Sequence, residues 1–376
     1  MRTAALTRCI CTVLTLSIAA WVPAPDMRAE DVEPLSLGSP APDFDLPAVQ
    51  DRNYRLSDFD AARVLVVIFT CNHCPTAQAY EDRILELYND YRDRHVALVA
   101  ISPNDPSAVR LDELGYTDLS DSLEEMKLRA KQKGFDFPYL YDGDKQIVSR
   151  AYGVQATPHV FIFDQERKLR YVGRIDDSER GNDKSPDARN AIEALLTGKP
   201  VPVPQTRTFG CSTKWSDKRT SAREAVEKWD QEEVALEKID AAGVRTLAEN
   251  ASKKYRLINV WATSCVPCVT ELPELVTINR MYRGRNFELI TISMDKVESL
   301  NDSLELLRQK HVAARNYVFN SEDRDALAEA LDKDWKGPVP YTVLIAPGGD
   351  IVYRKHGPMD PLDVKRAIVE RLGRTY

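Results

Sequence analysis

Arg63-Val-Leu-Val-Val-Ile-Phe69 runs into Thr70-Cys71-Asn72-His73-Cys74-Pro75, and far later Leu257-Ile-Asn-Val-Trp261 runs into Ala262-Thr263-Ser264-Cys265-Val266-Pro267-Cys268. Each opening run is apolar at nearly every position and rich in β-branched side chains, as a strand buried on both faces requires. A helical pattern follows each cysteine pair. Between Thr76 and Arg94, Ala79, Tyr80, Ile84, Leu87, Tyr88 and Tyr91 fall at helical spacing, and Thr270 to Tyr282 reads the same way. A second buried strand comes next in both places, at Val96–Ser102 and Phe287–Ser293. Strand, Cys-x-x-Cys, helix, strand is a right-handed βαβ unit with the cysteines at the carboxyl end of its first strand. The fold class is therefore α/β, with the unit present twice in tandem.

The parallel extends outward. Each half next carries a helical stretch, at 122–133 and 299–310, and then a proline that leads into a strand. These are Pro158, before His159-Val-Phe-Ile-Phe-Asp164, and Pro340, before Tyr341-Thr-Val-Leu-Ile-Ala346. A further strand (169–173, 351–356) and a closing helix (187–196, 363–372) complete each half, so each domain holds a central mixed sheet flanked by helices. Between the halves, Gly198-Lys-Pro-Val-Pro-Val-Pro-Gln205 alternates prolines that neither a helix nor a central strand tolerates. The expected organisation is a leader at 1–29, a first domain at 30–200, a linker at 201–231 with an extended, proline-rich start, and a second domain at 232–376; 217–250 reads as charged and mostly helical.

The leader reading rests on Arg2 and Arg8, a 14-residue apolar stretch from Cys9 to Val22, and small residues around Val22-Pro23-Ala24, with Ala29 as a later alternative. That apolar stretch is short for a membrane-spanning helix, so it reads as a cleaved secretory signal; an uncleaved N-terminal anchor is the other possibility. Export to the periplasm or cell envelope follows from either. The formal net charge of −7 argues against a nucleic-acid partner, which needs a basic face. Outside the leader five cysteines remain, and four of them form the two close pairs; Cys211 is the fifth. A scaffold of staples would scatter its cysteines, whereas close pairs in an oxidising compartment point to chemistry.

That chemistry is thiol–disulfide exchange. A thiolate attacks a substrate disulfide, and a neighbouring thiol releases the mixed disulfide. A helix N-terminus lowers the pKa of a thiol seated on it. On this reading Cys71 and Cys265 are the nucleophiles and Cys74 and Cys268 their resolving partners, and the redox-active disulfides Cys71–Cys74 and Cys265–Cys268 serve in place of any cofactor. A zinc site and a static disulfide are the competing readings of Cys-x-x-Cys. His73, between the first two cysteines, favours a charged sulfur beside it. His159 reads as an ordinary strand histidine, and Cys211 as an inert buried thiol.

Two resemblances sharpen this. Asn259-Val-Trp-Ala-Thr-Ser-Cys-Val-Pro-Cys-Val-Thr-Glu-Leu-Pro273 resembles the N-x-W-A-T-W-C-x-P-C-x-x-E-x-P signature of TlpA/ResA-like thiol–disulfide oxidoreductases, with Ser264 replacing a tryptophan. Gly38-Ser-Pro-Ala-Pro-Asp-Phe-Asp-Leu-Pro47 and Phe69-Thr-Cys-Asn-His-Cys-Pro75 resemble the redoxin group, related to the AhpC/TSA peroxiredoxins. Together they cover about residues 37–200 and 232–373. They imply two thioredoxin-like folds. They also imply that Pro158 and Pro340 are the family's cis-prolines, that Thr157 and Val339 offer backbone to an added substrate strand, and that Glu271 is the active-site glutamate.

The implied function is reduction or exchange of disulfides in exported proteins, with electrons from a membrane or periplasmic thiol donor. Cys74-Pro75-Thr76 also resembles a peroxiredoxin loop, so a thiol peroxidase is an alternative, although Cys71 stands where that loop wants threonine. The third alternative is not an enzyme but a copper-handling thiol module in the first domain, using Cys71, Cys74 and His159.

Overall fold

A computed structural model describes residues 32–178 and 185–376. The leader assigned to 1–29 lies outside the described residues. No helix among the described residues is long and apolar enough to cross a membrane.

The first domain opens with a hairpin of β1 (Asp45–Pro47) and β2 (Asn53–Arg55), then runs β3 (Val64–Phe69), α1 (Pro75–Tyr91), β4 (Val96–Ser102), α2 (Leu123–Lys133), β5 (Tyr139–Tyr141), α3 (Ile147–Tyr152), β6 (Ala156–Thr157), β7 (His159–Phe163), β8 (Leu169–Gly173) and α4 (Asp187–Leu196). Its sheet has the order β5-β4-β3-β7-β8, parallel across β5, β4 and β3 and antiparallel across β7 and β8. Every residue of β3 is buried, because helices cover both faces of a strand at the centre of the sheet. Ser122 caps α2 by accepting the Glu125 N–H, and Gly134 closes that helix in the left-handed region.

The stretch 201–231 is not the free connector the prolines suggest. Its prolines bar a helix, yet extended backbone can still bond along a sheet edge. Val172 N–H donates to Pro204 O and Thr206 N–H to Val172 O, which continues the β8 edge. Then β9 (Cys211–Ser212) pairs antiparallel with β6, Trp215 enters the core of the first domain, and α5 (Arg219–Asp230) follows.

The second domain is β10 (Glu237–Ile239), α6 (Ala241–Glu249), β11 (Tyr255–Trp261), α7 (Val266–Tyr282), β12 (Phe287–Ser293), α8 (Leu300–Gln309), β13 (Arg315–Phe319), α9 (Arg324–Leu331), β14 (Tyr341–Ile345), β15 (Ile351–His356) and α10 (Pro361–Leu372). Its sheet order, β10-β13-β12-β11-β14-β15, repeats the first with one strand added at the edge. The strands β5 and β13 and the helices α3 and α9 stand where the sequence pattern shows no element.

The two domains share packing. Val109 and Leu114 of the first lie in the core of the second, beside Leu275 and Ile278 of α7. Tyr282 donates its hydroxyl to Thr117 O at 2.6 Å, and Arg285 donates to Gly115 O. Asp118, with a fully buried side chain, accepts from Arg129 of its own domain and from Arg366 and Arg374 of the other. Burial raises its pKa, but Arg374 and Arg129 outweigh that and hold its carboxyl below the usual carboxylate range.

Candidate active sites

At the first centre the helix begins three residues later than a cap at Cys71 requires. Pro75 is its first residue, which suits proline because the missing N–H has no partner there anyway. Cys74 is therefore the N-cap, with its sulfur 3.5 Å from the Ala77 N–H. Cys71 stands before the helix and its thiol meets the Thr157 hydroxyl at 3.1 Å. Both cysteines are buried and both are free thiols.

The electrostatics separate them. Burial alone would raise the Cys74 pKa. Hydrogen bonds from the Cys211 and Cys71 thiols, the charge on His73 and the Ala77 N–H overcome that, and hold Cys74 well below the ordinary thiol value. Cys71 is pushed well above it, first by burial and then by its bond to Cys74 and by the negative charge of Asp121. The expectation that Cys71 is the stabilised thiolate is thus corrected: the helix N-terminus and the imidazole both serve Cys74.

His73 is enclosed, and its Nδ1 meets Asp121 Oδ2 at 2.5 Å. Asp121 also accepts the backbone N–H groups of Asn72 and His73 and the Asn104 amide. Burial lowers the His73 pKa, but Asp121 and Cys74 together outweigh it and raise it. His73 Nε2 is buried with no hydrogen-bond partner. Nothing in the sequence marked Asp121; it lies 48 residues from His73 and reaches it only through the loop before α2.

The Thr157–Pro158 peptide is cis, and the Thr157 carbonyl lies 3.4 Å from Cys74 Sγ. His159 packs on Phe161 with ring centroids 4.4 Å apart, and burial drives its pKa down to about 3. It is a neutral core side chain, as expected, and stays out of the cluster of possible ligands that the structure does assemble, Cys71, His73 and Asp121. Cys211, unpaired in the sequence pattern, packs against Cys71, Cys74 and Ala77, and its N–H lies 3.3 Å from Cys74 Sγ.

At the second centre Cys265 is the N-cap of α7 and is bonded to Cys268 in a disulfide. Cys268 is fully buried, whereas Cys265 is half-exposed and is followed by Val266, which is 75% exposed. An incoming thiolate can reach only the Cys265 side. The Val339–Pro340 peptide is cis. Glu271 is not a solvated surface carboxylate. It is buried, accepts the Asn259 amide at 2.8 Å and the Met359 N–H at 3.1 Å, and burial raises its pKa above the usual range.

A known family matches each half of the chain. The AhpC/TSA family matches residues 37–172 and the Redoxin family residues 234–370. The chain is a tandem redoxin, a thiol–disulfide oxidoreductase of thioredoxin fold. Two thiol-disulfide oxidoreductases named ResA are similar to it. The one from Geobacillus thermodenitrificans is 26% identical over 37% of this chain and 69% of its own length. The one from Oceanobacillus iheyensis is 27% identical over 33% of this chain and 55% of its own length. Among solved structures, a hypothetical protein from Sinorhizobium meliloti is 35% identical, covering 49% of this chain and 97% of its own, with a TM-score of 0.44.

Proposed function

We propose that this tandem redoxin is an exported enzyme that reduces or exchanges disulfides of envelope proteins, with Cys74 and Cys265 as its two nucleophiles. The observation that carries the reading is that each of these cysteines is the N-cap of the helix after its βαβ strand. At the first centre Cys74 attacks one sulfur of a substrate disulfide, and a second thiol of the chain displaces the mixed disulfide. At the second centre a dithiol reductant attacks Cys265 and releases the Cys268 thiolate, its second thiol then frees Cys265, and the Cys265 thiolate attacks substrate. Glu271, kept protonated to higher pH by burial, exchanges a proton with the Cys268 thiol. Pro158 and Pro340 shape the two grooves, with Thr157 and Val339 as the residues before them. Electrons come from a membrane or periplasmic thiol protein. The sequence reading of a leader at 1–29 supports a location in the periplasm or envelope.

The test is reduction of a disulfide-bonded protein by the chain under a dithiol reductant, together with fractionation of cells that express it. Turnover should fall in Cys74→Ser and in Cys265→Ser and vanish in the double variant, and the chain should be absent from the cytosol. Full activity of the double variant would remove the reading.

A peroxidase is a second reading with an observation behind it: Cys74, not Cys71, is the helix-capped thiolate, and the AhpC/TSA family spans this half. Loss of hydrogen peroxide coupled to oxidation of Cys74, faster than free cysteine shows, would establish it.

A further inference from the structure

The strand that follows the first domain occupies the groove where a substrate strand would lie. Thr157, just before cis Pro158, pairs with Cys211 across β6 and β9. Gly210 makes that approach possible. Its φ is +135°, and a Cβ placed there would sit 2.0 Å from the Thr157 carbonyl oxygen. The backbone edge next to Cys74 is thereby filled by the chain itself, and filled with a cysteine. Cys211 packs against the Cys71–Cys74–Ala77 cluster, its N–H lies 3.3 Å from Cys74 Sγ and its thiol hydrogen-bonds to that sulfur. It is also the least enclosed of the three thiols. Cys71 is 2% exposed and is engaged by the Thr157 hydroxyl. Tyr376, at the end of the chain, reaches Cys211 with its hydroxyl.

We propose that Cys211 is a third redox residue of the first centre, and that it resolves the mixed disulfide formed at Cys74. This rests on the reading of Cys74 as a nucleophile. With β9 paired to Thr157, a peptide strand has to displace it, so a small disulfide is the substrate that reaches the first centre directly. Cys74 thiolate attacks one sulfur of that disulfide; its S–S bond breaks, and one half leaves as a thiolate that takes up a proton. Cys211 then gives its proton to the departing second half and attacks the Cys74 sulfur, forming Cys74–S–S–Cys211. Two chain thiols are oxidised and one substrate disulfide is reduced, a two-electron exchange. Cys71 remains a thiol throughout.

The experiment uses the full chain with Cys265→Ser and Cys268→Ser, so that only the first centre reports. The reduced protein receives one equivalent of oxidised glutathione, is quenched with acid, alkylated and digested with trypsin, and its disulfides are mapped by mass spectrometry. The expected product joins the Cys74 peptide to Thr208–Lys214, with Cys71 alkylated. Cys211→Ser, and Gly210→Ala, which pushes β9 away from Thr157, should each slow clearance of the glutathione adduct at Cys74 by about tenfold or more. In Cys71→Ser the Cys74–Cys211 link should still form. A dominant Cys71–Cys74 disulfide with Cys211 alkylated overturns the proposal and leaves Cys74 as a nucleophile. No glutathione adduct and no disulfide at any of the three cysteines overturns the reading of Cys74 itself, and the proposal with it.

Discussion

His73→Gln isolates the electrostatics of the first centre. In the wild-type chain Asp121 holds Nδ1 and raises the pKa of the imidazole, whose charge then stabilises the Cys74 thiolate. Glutamine removes that charge while keeping a polar side chain of similar length next to Asp121. The lost stabilisation is that of one charge-assisted contact, about 1.5–3 kcal/mol, or roughly one to two pKa units. The thiolate is the reactive form, so the sign is fixed: the Cys74 pKa rises, and its reactivity below the wild-type pKa falls by about 10- to 100-fold. Less stable thiolate also means a less stable reduced form, so the first disulfide becomes more reducing by roughly 30–60 mV, since 30 mV corresponds to ~1.4 kcal/mol for two electrons. The assay is the rate of Cys74 alkylation by iodoacetamide from pH 4 to 10, read residue by residue by mass spectrometry, with glutathione equilibration alongside. An alkylation midpoint unmoved by His73→Gln would show that His73 does not stabilise the thiolate, and would leave the helix N-terminus and the two neighbouring thiols as its support.

Further outcomes follow from other parts of the structure. In the second domain Cys268→Ser should accumulate mixed disulfides with substrate protein and Cys265→Ser should not; mass spectrometry of trapped complexes reads this, and trapping by Cys265→Ser would reverse the assignment. Glu271→Gln keeps an acceptor for only one of the two donors, Asn259 and Met359, and cannot move a proton, so exchange by the second centre should slow several-fold while the domain stays folded; equal rates from pH 5 to 9 would make Glu271 a packing residue only. Asp118→Ala leaves three arginines without their shared anion and should cost about 3 kcal/mol or more of stability in urea unfolding, with the contacts between the domains lost together. A change under 1 kcal/mol would mean that the apolar contacts of Val109 and Leu114 carry the interface alone.

Much of this was legible from local pattern. The strands and helices around both cysteine pairs follow from hydrophobic period and length, and the two prolines from their place before a strand. Three things were not. The short strands β5 and β13 carry too few residues for a period to show, and only their partners in the sheet make them strands. The capping cysteine of the first centre was misassigned because Cys-x-x-Cys spacing says nothing about where the helix begins; Pro75, a favoured first helical residue, was the signal that would have moved the N-cap to Cys74. Cys211 and Asp121 reach the site through long-range pairing, and no local pattern records a contact made across 137 or 48 residues. The proline-rich stretch shows the same limit: its composition excludes a helix, but not attachment along the edge of a sheet.

On this reading both cysteine pairs lie in working redox centres of one enzyme. Redox titration of the full chain in glutathione buffers, with the oxidised fraction of each cysteine measured by differential alkylation and mass spectrometry, tests it most directly. Two separate two-electron transitions are expected, one for Cys265 with Cys268 and one for Cys74 with its resolving thiol, the first centre being the more oxidising because His73 stabilises its thiolate and Val266-Pro267 places no such group between the second pair. Cysteines of either centre that keep one state across the whole range of buffers would contradict it.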